Sequence, residues 1–436
     1  MTPIQALSLP EILAGKDVIG QGKTGSGKTA AFGLGLLAKL KVKRFRIQSL
    51  ILCPTRELAD QVAKEIRTLA RATHNIKVLT LCGGTPFGPQ IGSLEHGAHI
   101  VVGTPGRIEE HVIKGTLVLD NVDMLVLDEA DRMLEMGFQA ALDNIVERTP
   151  EHRQTLLFSA TYPKQIQTIA HDIMRDPVLA KVAATHDSST IRQHFYQVED
   201  DAHRMTAVKL LLLAHKPQST VIFCNTKKET QQVAQQLAQS GFSVLALHGD
   251  LEQRDRDQAL VRFSNKSVAV LVATDVASRG LDIDALDAVI NYHIARDTEV
   301  HVHRIGRTGR AGSKGLACSL YSEKEHYKMG LLEDYLDQVI AGEALPETSV
   351  LSQTPLSAPM VTLQIDGGKK QKLRPGDILG ALTGEKGIQG AQVGKINVLD
   401  NWAYVAIAVK VLKPALRKLE QGKLKGRTFR VRVLTG

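Results

Sequence analysis

The sequence predicts an α/β protein of two tandem domains with parallel sheets, followed by a smaller α+β domain. Three observations support this fold class. Short apolar runs alternate with amphipathic segments, the same alternation starts again after a polar stretch at 184–191, and a proline-containing segment at 345–359 precedes a βαββαβ order of elements. The chain has 436 residues, which is enough for two to four domains of about 100–200 residues each.

The first predicted domain covers residues 1–184 and contains strand-like runs that are short and apolar. Helical patterns lie between these runs, for example at 56–72 and 163–174. Buried strands separated by helices indicate βαβ units and a parallel sheet. The runs lie at 17–19, 49–53, 77–82, 100–102, 124–127 and 154–158.

The second predicted domain covers residues 195–345 and repeats this pattern, with helical segments such as 227–241 and 251–264. We therefore expect a second α/β domain of roughly 150 residues. Its strand-like runs lie at 219–223, 243–247, 268–272, 288–291 and 315–320.

The third predicted domain, residues 358–436, follows a linker at 346–357 that contains proline, serine and threonine. Such a segment is typical of an extended connection. The order strand, helix, strand, strand, helix, strand is the split βαβ arrangement of a small α+β domain. These elements are predicted at 361–366, 375–382, 394–398, 403–408, 411–419 and 428–433.

The positive charge of the chain is concentrated near this third domain. Residues 355–436 hold 15 lysines and arginines against 5 aspartates and glutamates, a net charge of +10, whereas the other 354 residues hold 39 against 41, a net charge of −2. Such asymmetry is typical of a basic region that binds a polyanion. A basic surface that serves only solubility is the alternative, and charge alone leaves it open.

Composition argues against several other classes of protein. No run of about 18 apolar residues occurs, so no membrane-spanning helix is predicted, and the first residues do not have the pattern of a secretory signal. The four cysteines, Cys53, Cys82, Cys224 and Cys318, are far apart and lack metal-ligand spacing. We therefore expect a cytoplasmic protein with reduced cysteines.

The first motif with a chemical role is GKTGSGKT at residues 22–29, between a strand-like run and a helical pattern at 30–40. It fits a phosphate-binding loop, in which glycines such as Gly25 and Gly27 let backbone N–H groups surround phosphate oxygens. Lys28 is predicted to reach the β- and γ-phosphates, and Thr29 to offer a hydroxyl to Mg²⁺. The sequence therefore predicts a nucleoside triphosphate site.

A second motif, DEAD at residues 128–131, directly follows the strand-like run 124–127. A nucleotide site of this kind needs an acid at a strand end, so Asp128 is predicted to hold Mg²⁺ and Glu129 to polarise the attacking water. An acidic first turn of the next helix would give the same local pattern. The phosphate-binding loop upstream favours the catalytic interpretation.

At these residues the sequence resembles the DEAD-box RNA helicases, whose signature is the run at 128–131. The resemblance extends from residue 2 to about residue 340. It implies two RecA-like P-loop domains that bind ATP, Mg²⁺ and RNA. The other matching motifs are PTREL at 54–58, GG at 83–84, TPGR at 104–107, SAT at 159–161, VIFCNT at 221–226, HGD at 248–250, ATD at 273–275, RGLD at 279–282 and HRIGRTGR at 303–310.

The resemblance also implies roles for individual residues. Arg307 and Arg310 correspond to arginine fingers, and arginines on a second domain can stabilise charge on a γ-phosphate held by the first. Because the two halves of such a site lie on different domains, ATP is expected to favour domain closure. Ser159 and Thr161 are expected to hydrogen-bond near Asp131 and to couple hydrolysis to the RNA groove.

RNA contacts in this family are made to the phosphate backbone, so we expect the two-domain core to be indifferent to base sequence. Any one of the matching residues could instead be a helix cap or part of a surface ion pair. The matching positions are Thr55, Arg56, Gly84, Thr104, Arg107 and Thr274.

Recognition of adenosine is implied at three further positions. Gln5 corresponds to the adenine-reading glutamine of the family, and Gly280 and Asp282 correspond to ribose-contacting residues. The family also has an aromatic residue well before this glutamine, at a position that would precede Met1. A misplaced start, a truncated chain and weaker ATP binding are three explanations that the sequence leaves open.

Over residues 355–436 the chain resembles the C-terminal domain of the bacterial DEAD-box protein A subfamily, through IDGGKK at 365–370 and RPGDILGAL at 374–382. This resemblance implies an RRM-like domain that binds a hairpin of 23S rRNA. In NWAYVA at 401–406, Trp402 and Tyr404 occupy the aromatic positions of an RNP motif and would stack on bases. The partner strand has no aromatic residue, so packing within the protein is the alternative role for this pair.

The sequence therefore predicts a monomeric RNA helicase and RNA-dependent ATPase that unwinds or remodels structured 23S rRNA in the large-subunit precursor. A general RNA helicase without strict rRNA specificity is the nearest alternative. The others are a non-catalytic RNA clamp with a degenerate nucleotide site and a DNA-translocating helicase of related fold. The intact Lys28, Thr29, Asp128 and Glu129 argue against the clamp.

Overall fold

The computed structural model describes residues 1–22, 25–182, 191–275, 286–309, 315–384 and 387–434. Its strands form three separate sheets, of seven, six and four strands. The first sheet belongs to one compact unit of the chain, and the other two sheets belong to a second unit.

The first sheet is built from parallel strands that are connected mainly through helices. The strands are β1 (Val18–Gln21), β2 (Ser49–Leu52), β3 (Val78–Leu81), β4 (Ile100–Gly103), β5 (Met124–Asp128), β6 (Gln154–Ser159) and β7 (Val178–Lys181). Their order across the sheet is β3-β4-β2-β5-β6-β1-β7, and every pair is parallel. The helices are α1 (Pro3–Leu13), α2 (Lys28–Lys39), α3 (Arg56–Leu69), α4 (Phe87–Glu95), α5 (Pro105–Ile113), α6 (Ala130–Glu135), α7 (Gln139–Val146) and α8 (Lys164–Ile173).

This sheet is buried on both faces, which explains why its strands are nearly continuous apolar runs. In β2, Leu50 and Leu52 pack into one core cluster, whereas Ile51 packs into the cluster on the opposite face. The expected parallel sheet is therefore confirmed. The sequence pattern missed β7, an edge strand in which only Ala180 is buried.

The second sheet has the same parallel construction and confirms the second α/β domain. Its strands are β8 (Ile191–Gln197), β9 (Thr220–Cys224), β10 (Val244–Leu247), β11 (Val270–Thr274), β12 (Ala288–Asn291) and β13 (Gly315–Tyr321). Their order is β10-β11-β9-β12-β13-β8. The described helices are α9 (Asp201–His215), α10 (Lys227–Gln239), α11 (Gln253–Ser264), α12 (Thr298–Ile305) and α13 (His326–Leu336).

The third sheet is antiparallel and has the predicted βαββαβ order. Its strands are β14 (Met360–Ile365), β15 (Val393–Val398), β16 (Ala403–Ala408) and β17 (Val431–Val433), arranged as β15-β16-β14-β17. Helices α14 (Pro375–Thr383) and α15 (Leu412–Gln421) cover one face. Leu363 and Ile365 of β14 point into the apolar core on that side.

The opposite face of the third sheet packs on the end of α11. Asn265 donates a hydrogen bond of 3.2 Å to the hydroxyl of Thr362, and the hydroxyl of Ser267 lies 2.7 Å from the same oxygen. Gln258 donates to the side-chain oxygen of Gln364 at 3.2 Å. Thr362 and Gln364 are at most 1% exposed, so the third domain is docked on the second through a buried polar interface.

The composition predicted reduced cysteines and no membrane-spanning helix. All four cysteines are buried and have free thiols. Burial raises the pKa of both Cys82 and Cys318 to about 12, so these thiols stay protonated at neutral pH and act as small apolar core residues. Within the described ranges, no helix is both long and apolar enough to span a membrane.

Candidate active site

The motif residues of the first domain meet at one edge of the first sheet, because all strands are parallel and each motif lies at or just after the carboxyl end of its strand. The loop at 22–29 follows β1, the acidic run at 128–131 begins in β5, and the SAT motif begins in β6. The PTREL, GG and TPGR motifs follow β2, β3 and β4. The strand order places these three motifs, predicted to contact RNA, on one half of the edge and the three motifs predicted to bind nucleotide on the adjoining half.

The phosphate-binding loop leads directly into α2. Gly27, the residue before the helix, has a φ of 92°, and Gly25 has a φ of 78°, so both occupy the left-handed region that favours glycine. Lys28 is 6% exposed and donates a hydrogen bond of 2.9 Å to the carbonyl of Gly22. Lys28 therefore binds the backbone of its own loop, and the amino end of α2 lies beside that loop.

Gln5 lies against this loop. Its side-chain amide donates to the carbonyl of Gly27 at 3.1 Å, and its side-chain oxygen accepts from the backbone N–H of Thr2 at 2.9 Å. A Cβ at Gly27 would lie 2.5 Å from the Gln5 amide nitrogen. Glycine at this position thus permits the close approach that ties α1 to the loop.

The acidic motif is buried and strained. Asp128 is 3% exposed and Glu129 is 8% exposed, and Glu129 has a φ of 53°. Backbone strain of this kind is often found at functional sites. Burial raises the pKa of Asp128 to about 7; the nearby charge of Lys28 opposes the shift, and those of Glu129 and Asp131 add to it. The carboxylate form of Asp128 is therefore less favoured than that of an exposed aspartate.

The SAT motif touches both nucleotide motifs. The carboxylate of Asp131 accepts hydrogen bonds from the backbone N–H and the hydroxyl of Thr161, at 3.1 and 3.0 Å. The carbonyl of Ser159 accepts from the N–H of Gly22 at 3.1 Å. A displacement of this segment would therefore be transmitted to both the acidic motif and the phosphate-binding loop.

The other half of the edge presents the predicted RNA-contacting residues. Thr55 caps α3, since its hydroxyl accepts from the N–H of Leu58 at 3.3 Å. Thr104 is the residue before α5, and Gly84 has a φ of 72°. Arg56 is partly exposed at the start of α3. A capping role for Thr55 is thus present in the structure and is compatible with a further contact to a ligand.

Arg107 is held by the protein on several sides. Its guanidinium donates to the carbonyl of Thr85 at 3.0 Å and to the side-chain oxygen of Gln90 at 2.9 Å, and it lies 3.0 Å from a carboxylate oxygen of Glu110. A ring nitrogen of His111 lies 2.9 Å from the same Gln90 oxygen. Gln90 and His111 were not predictable from the sequence, because neither belongs to a recognisable motif.

In the second domain, Arg304 on α12 connects the ends of three strands. It binds both carboxylate oxygens of Asp275, at 2.6 and 2.8 Å, and donates to the side-chain oxygen of Asn225 at 3.1 Å and to the carbonyl of His293 at 3.0 Å. Thr274, the predicted RNA contact, directly precedes Asp275 and is 8% exposed. Arg304 lies in the HRIGRTGR motif, but the sequence did not predict that it joins these strand ends.

The predicted arginine fingers and ribose contacts are only partly described. Arg307 is partly exposed just after α12, and its backbone N–H donates to the carbonyl of Arg304 at 3.2 Å. Arg310, Gly280 and Asp282 lie outside the described residues.

The predicted stacking pair of the third domain requires a correction. Tyr404 lies on the face of the third sheet that packs on the second domain, and it is 0% exposed. Trp402 is partly exposed and has the guanidinium of Arg254, from α11, 5.3 Å from its ring centre. The expected open platform is therefore not present in this arrangement, because the second domain covers the face that would stack on bases.

Comparison with known families assigns the same order of domains. Residues 2–169 match the DEAD/DEAH box helicase family, and residues 203–312 match the helicase conserved C-terminal domain. Residues 362–433 match the DbpA RNA binding domain.

Relatives share the architecture over most of the chain. The ATP-dependent RNA helicase DbpA of Escherichia coli is 54% identical over 434 residues, which cover 100% of this chain and 94% of the relative. The DEAD-box ATP-dependent RNA helicase CshA of Geobacillus kaustophilus is 43% identical over 74% of this chain and 69% of its own. Among solved structures, Saccharomyces cerevisiae Dbp5 bound to RNA and ADP BeF3 has a TM-score of 0.70 at 28% identity, covering 79% of this chain and 89% of that chain. This chain belongs to the DEAD-box family of ATP-dependent RNA helicases, and its third domain is an RNA-binding domain of the DbpA type.

Proposed function

We propose that this helicase remodels structured 23S rRNA during assembly of the large ribosomal subunit, and that its third domain directs it there. The observation that carries the proposal is the full-length similarity to DbpA, which includes a third domain holding the excess positive charge of the chain. The proposed functional domains are 1–184, 195–345 and 358–436, with 346–357 connecting the last two. A monomer in the cytoplasm is sufficient for this role.

The residues at the nucleotide half of the first edge fit Mg²⁺ that arrives with ATP. Mg²⁺ prefers oxygen ligands and usually retains water and phosphate oxygens, and Asp128 and Thr29 supply a carboxylate and a hydroxyl. In the part of the chain that the structure describes, no group of three or more His, Cys, Asp or Glu side chains could hold a metal by itself. When bound, Mg²⁺ would supply positive charge to the phosphate oxygens.

The proposed hydrolysis assigns each remaining residue one task. Lys28 and the amino end of α2 bind the β- and γ-phosphates, and Glu129 orients and polarises the attacking water. Arg307 and Arg310 stabilise negative charge on the transferred phosphoryl group. Because these arginines belong to the second domain, we expect ATP and RNA together to favour domain closure.

Adenosine is assigned to three residues, following the family resemblance. Gln5 reads the adenine edge through its amide, and its contact with Gly27 relays the presence of the base to the loop. Gly280 and Asp282 contact the ribose. A nucleotide with another base is therefore expected to support less activity than ATP.

The RNA strand is proposed to follow the other half of the first edge and to continue onto the second domain at Thr274. The first-domain contacts are backbone contacts, because the available groups are hydroxyls, a glycine N–H and arginine side chains, which suit phosphate oxygens. The RNA-bound structure of Dbp5 supports an RNA site in this fold. The first-domain residues are Thr55, Arg56, Gly84, Thr104 and Arg107.

The hydrogen bonds of the SAT motif support a coupling role. Thr161 joins this segment to Asp131, and Ser159 joins it to the phosphate-binding loop at Gly22. A change in the phosphate-binding loop on hydrolysis would therefore move the SAT segment, which lies between this loop and the acidic motif. We propose that this movement weakens the RNA contacts of the first domain.

The third domain is proposed to bind its rRNA hairpin through loops and α15 and not through the sheet. The sheet face is occupied by the second domain, whereas many lysines and arginines on the remaining surface are exposed. Positive charge of this density favours a folded RNA through its phosphates. The exposed basic residues are Lys369, Lys370, Lys372, Arg374, Lys410, Lys413, Arg417, Lys423, Lys425, Arg427 and Arg430.

A full-chain variant that lacks three of these charges tests the targeting role. We expect K410A/K413A/R417A to raise the concentration of 23S rRNA fragment needed for half-maximal ATPase stimulation by tenfold or more, and to leave basal ATPase unchanged. The salt dependence of RNA affinity should weaken by about 2–3 units of log–log slope for three lost phosphate contacts. The matched control K43A/K164A/K324A removes three exposed lysines from the parallel domains and should retain the parent values.

The same assay separates the alternatives. Equal stimulation of the parent by 23S rRNA and by unrelated RNA would contradict targeting and leave a general RNA helicase. Equal stimulation by RNA and by DNA of the same sequence would favour a DNA-translocating enzyme, because 2′-hydroxyl contacts distinguish the two. An E129Q variant that hydrolysed ATP at the parent rate would contradict the assigned catalytic role.

A further inference from the structure

His293 lies just beyond β12, at the carboxyl edge of the second sheet. Its Nε2 is 2.6 Å from a carboxylate oxygen of Glu229 at the start of α10. Its Nδ1 is 3.3 Å from a carboxylate oxygen of Glu325 in the 3₁₀ helix before α13. The His293 side chain is 20% exposed, and those of Glu229 and Glu325 are 23% and 12% exposed. One imidazole therefore bridges two largely buried carboxylates.

This geometry determines the charge of the ring. A neutral imidazole has one N–H donor and one lone pair, so in either tautomer a lone pair would face a carboxylate. The imidazolium has two donors and satisfies both acids. Burial of His293 opposes protonation, but the hydrogen bonds to Glu229 and Glu325 outweigh burial, and the pKa of His293 is raised from the usual 6.5.

The other charged groups around the ring support the same state. Arg204 of α9 donates to the second oxygen of Glu325 at 2.7 Å, and Lys328 of α13 lies 3.9 Å from the first. Glu325 thus faces two basic side chains in addition to the ring. The edge of Tyr292 packs against His293, and burial raises the pKa of Tyr292, so this neighbour stays neutral.

The ring and the backbone carbonyl of His293 both connect to residues of the motifs that are proposed to contact RNA and ATP. Glu229, bound by the ring, also accepts from the backbone N–H of Asn225 at 3.0 Å. The side chain of Asn225 accepts from Arg304, and the carbonyl of His293 accepts from the same guanidinium. Arg304 in turn holds both oxygens of Asp275. A closed set of contacts therefore links the ring to the segment that carries the proposed RNA contact.

We propose that protonated His293 is a positioning residue that fixes Asn225 and Arg304 and thereby sets the geometry of Thr274 and Arg307. The proposed role requires no direct contact of His293 with RNA or nucleotide. Loss of the ring proton would leave a lone pair facing one of the two carboxylates and would weaken the bridge between Glu229 and Glu325, and with it the support of the turn at Asn225. The proposal rests on the proposed function, because it concerns how the second domain contributes to RNA-stimulated ATP hydrolysis.

The test is the pH dependence of RNA-stimulated ATPase, measured as kcat and as the KM for RNA. A group with a raised pKa in the folded protein stays protonated at lower pH. The contribution of the protonated form is lost as pH rises through that pKa. The parent kcat/KM for RNA should therefore fall as pH rises through the raised pKa of His293. At pH 7, kcat/KM for RNA should be about twofold to thirtyfold lower in H293Q than in the parent, the range typical of coupling networks. The variant should also lack the decrease with pH that is due to His293.

H194Q is the matched control. His194 lies in the same domain and has Nδ1 2.8 Å from Glu343, so it pairs with a single carboxylate away from the motif residues. It should keep the parent pH profile. An H293Q profile that follows the parent would overturn the proposal.

A second measurement covers the case in which H293Q does not fold. The ring of His293 in the parent protein is titrated by NMR of ¹³C-labelled histidine. A pKa at or below 6.5 would overturn the proposal, and a higher value supports it. A parent protein without any RNA-stimulated ATPase would instead contradict the proposed function, while the ring titration would still report the charge state of His293.

Discussion

The carboxyl edges of the two parallel sheets carry polar residues at corresponding positions, but the electrostatic surroundings of the acidic residues differ between the two edges. At the first edge, Asp128 is buried near two other carboxylates, and burial together with this repulsion raises its pKa to about 7. At the second edge, Asp275, Glu229 and Glu325 each have a hydrogen-bonded cationic partner within the protein. The first edge is thus electrostatically prepared for a cation, whereas the second is already neutralised.

This difference indicates that the first edge is a ligand site and that the second edge is a structural scaffold. Functional sites commonly retain unfavourable charge that a ligand offsets, and stability is lost in exchange. Buried ionic networks have the opposite property, since each member becomes costly when its partner is removed. Removing the charge of Asp128 at the first edge should therefore raise stability, whereas substitutions in the ionic network of the second edge should lower it.

The largest effect is expected for Arg304→Ala. Arg304 is 2% exposed and holds Asp275 in a two-point contact. Removing one partner of a buried ion pair typically costs about 3–5 kcal/mol. Urea unfolding can be followed through Trp402, the single tryptophan, which packs against Arg254 in the same unit.

An exposed pair provides the control for that loss. Arg44 binds Asp123 at 3.1 Å, with side chains 39% and 59% exposed. Arg44→Ala should cost about 0–1 kcal/mol in global stability measured by circular dichroism. If Arg304→Ala costs no more than this, the second edge is not held by its ionic network.

The acid dependence of Glu325 is the next largest effect. Burial disfavours its charged form, but the hydrogen bond from His293 and the charge of Arg204 lower its pKa from 4.5 to about 2. A lowered folded pKa contributes stability above the unfolded pKa of 4.5, and this contribution is lost as pH falls towards 2. The shift corresponds to about 3 kcal/mol.

Glu325→Gln tests this contribution. At pH 7 the variant should be less stable than the parent by about 3 kcal/mol, and the difference should shrink as the pH is lowered below 4.5. Glu11→Gln, which removes an ion pair with the exposed Lys16, should show a small difference throughout. A parent–variant gap for Glu325 that does not change with pH would mean that its charge is unimportant.

The sequence was sufficient for the central strands of the two parallel sheets and for the placement of motifs. Buried parallel strands leave continuous apolar runs, and the motifs at 22–29 and 128–131 lie at strand ends where a parallel sheet gathers its ligands. The edge strands β7 and β8 were missed because exposed or polar residues break their apolar runs. Local patterning therefore predicts central strands better than edge strands.

The contacts between distant segments were not predictable. The network of His293 joins residues 204, 229, 293 and 325, which no local motif connects. The alternation of Trp402 and Tyr404 is equally compatible with an RNA face and a protein interface, and only the packing on α11 shows that Tyr404 is buried. Arg304 was visible as part of a motif, but its position as a hub depends on the fold.

The smallest effect, and the one of opposite sign, is expected at the first edge. Asp128→Asn replaces a buried carboxylate by a neutral group of similar shape and removes its repulsion with Glu129 and Asp131. We expect the nucleotide-free variant to be more stable by about 1 kcal/mol, or about 2–4 °C in the melting temperature of a domain of this size, and to lose ATPase activity.

Asp131→Asn is the control for Asp128→Asn. It shows whether any aspartate at this edge can be replaced by an amide without loss of stability. Both oxygens of Asp131 are in use, one by the two donors of Thr161 and one by the N–H of Arg132. An amide has a single acceptor oxygen, so one of these donors would lose its partner, which typically costs about 1–3 kcal/mol. Thermal melts without nucleotide should therefore rise for Asp128→Asn and fall for Asp131→Asn. A fall for both variants would mean that the charge of Asp128 is already compensated in the free protein, and the contrast between the two edges would not hold.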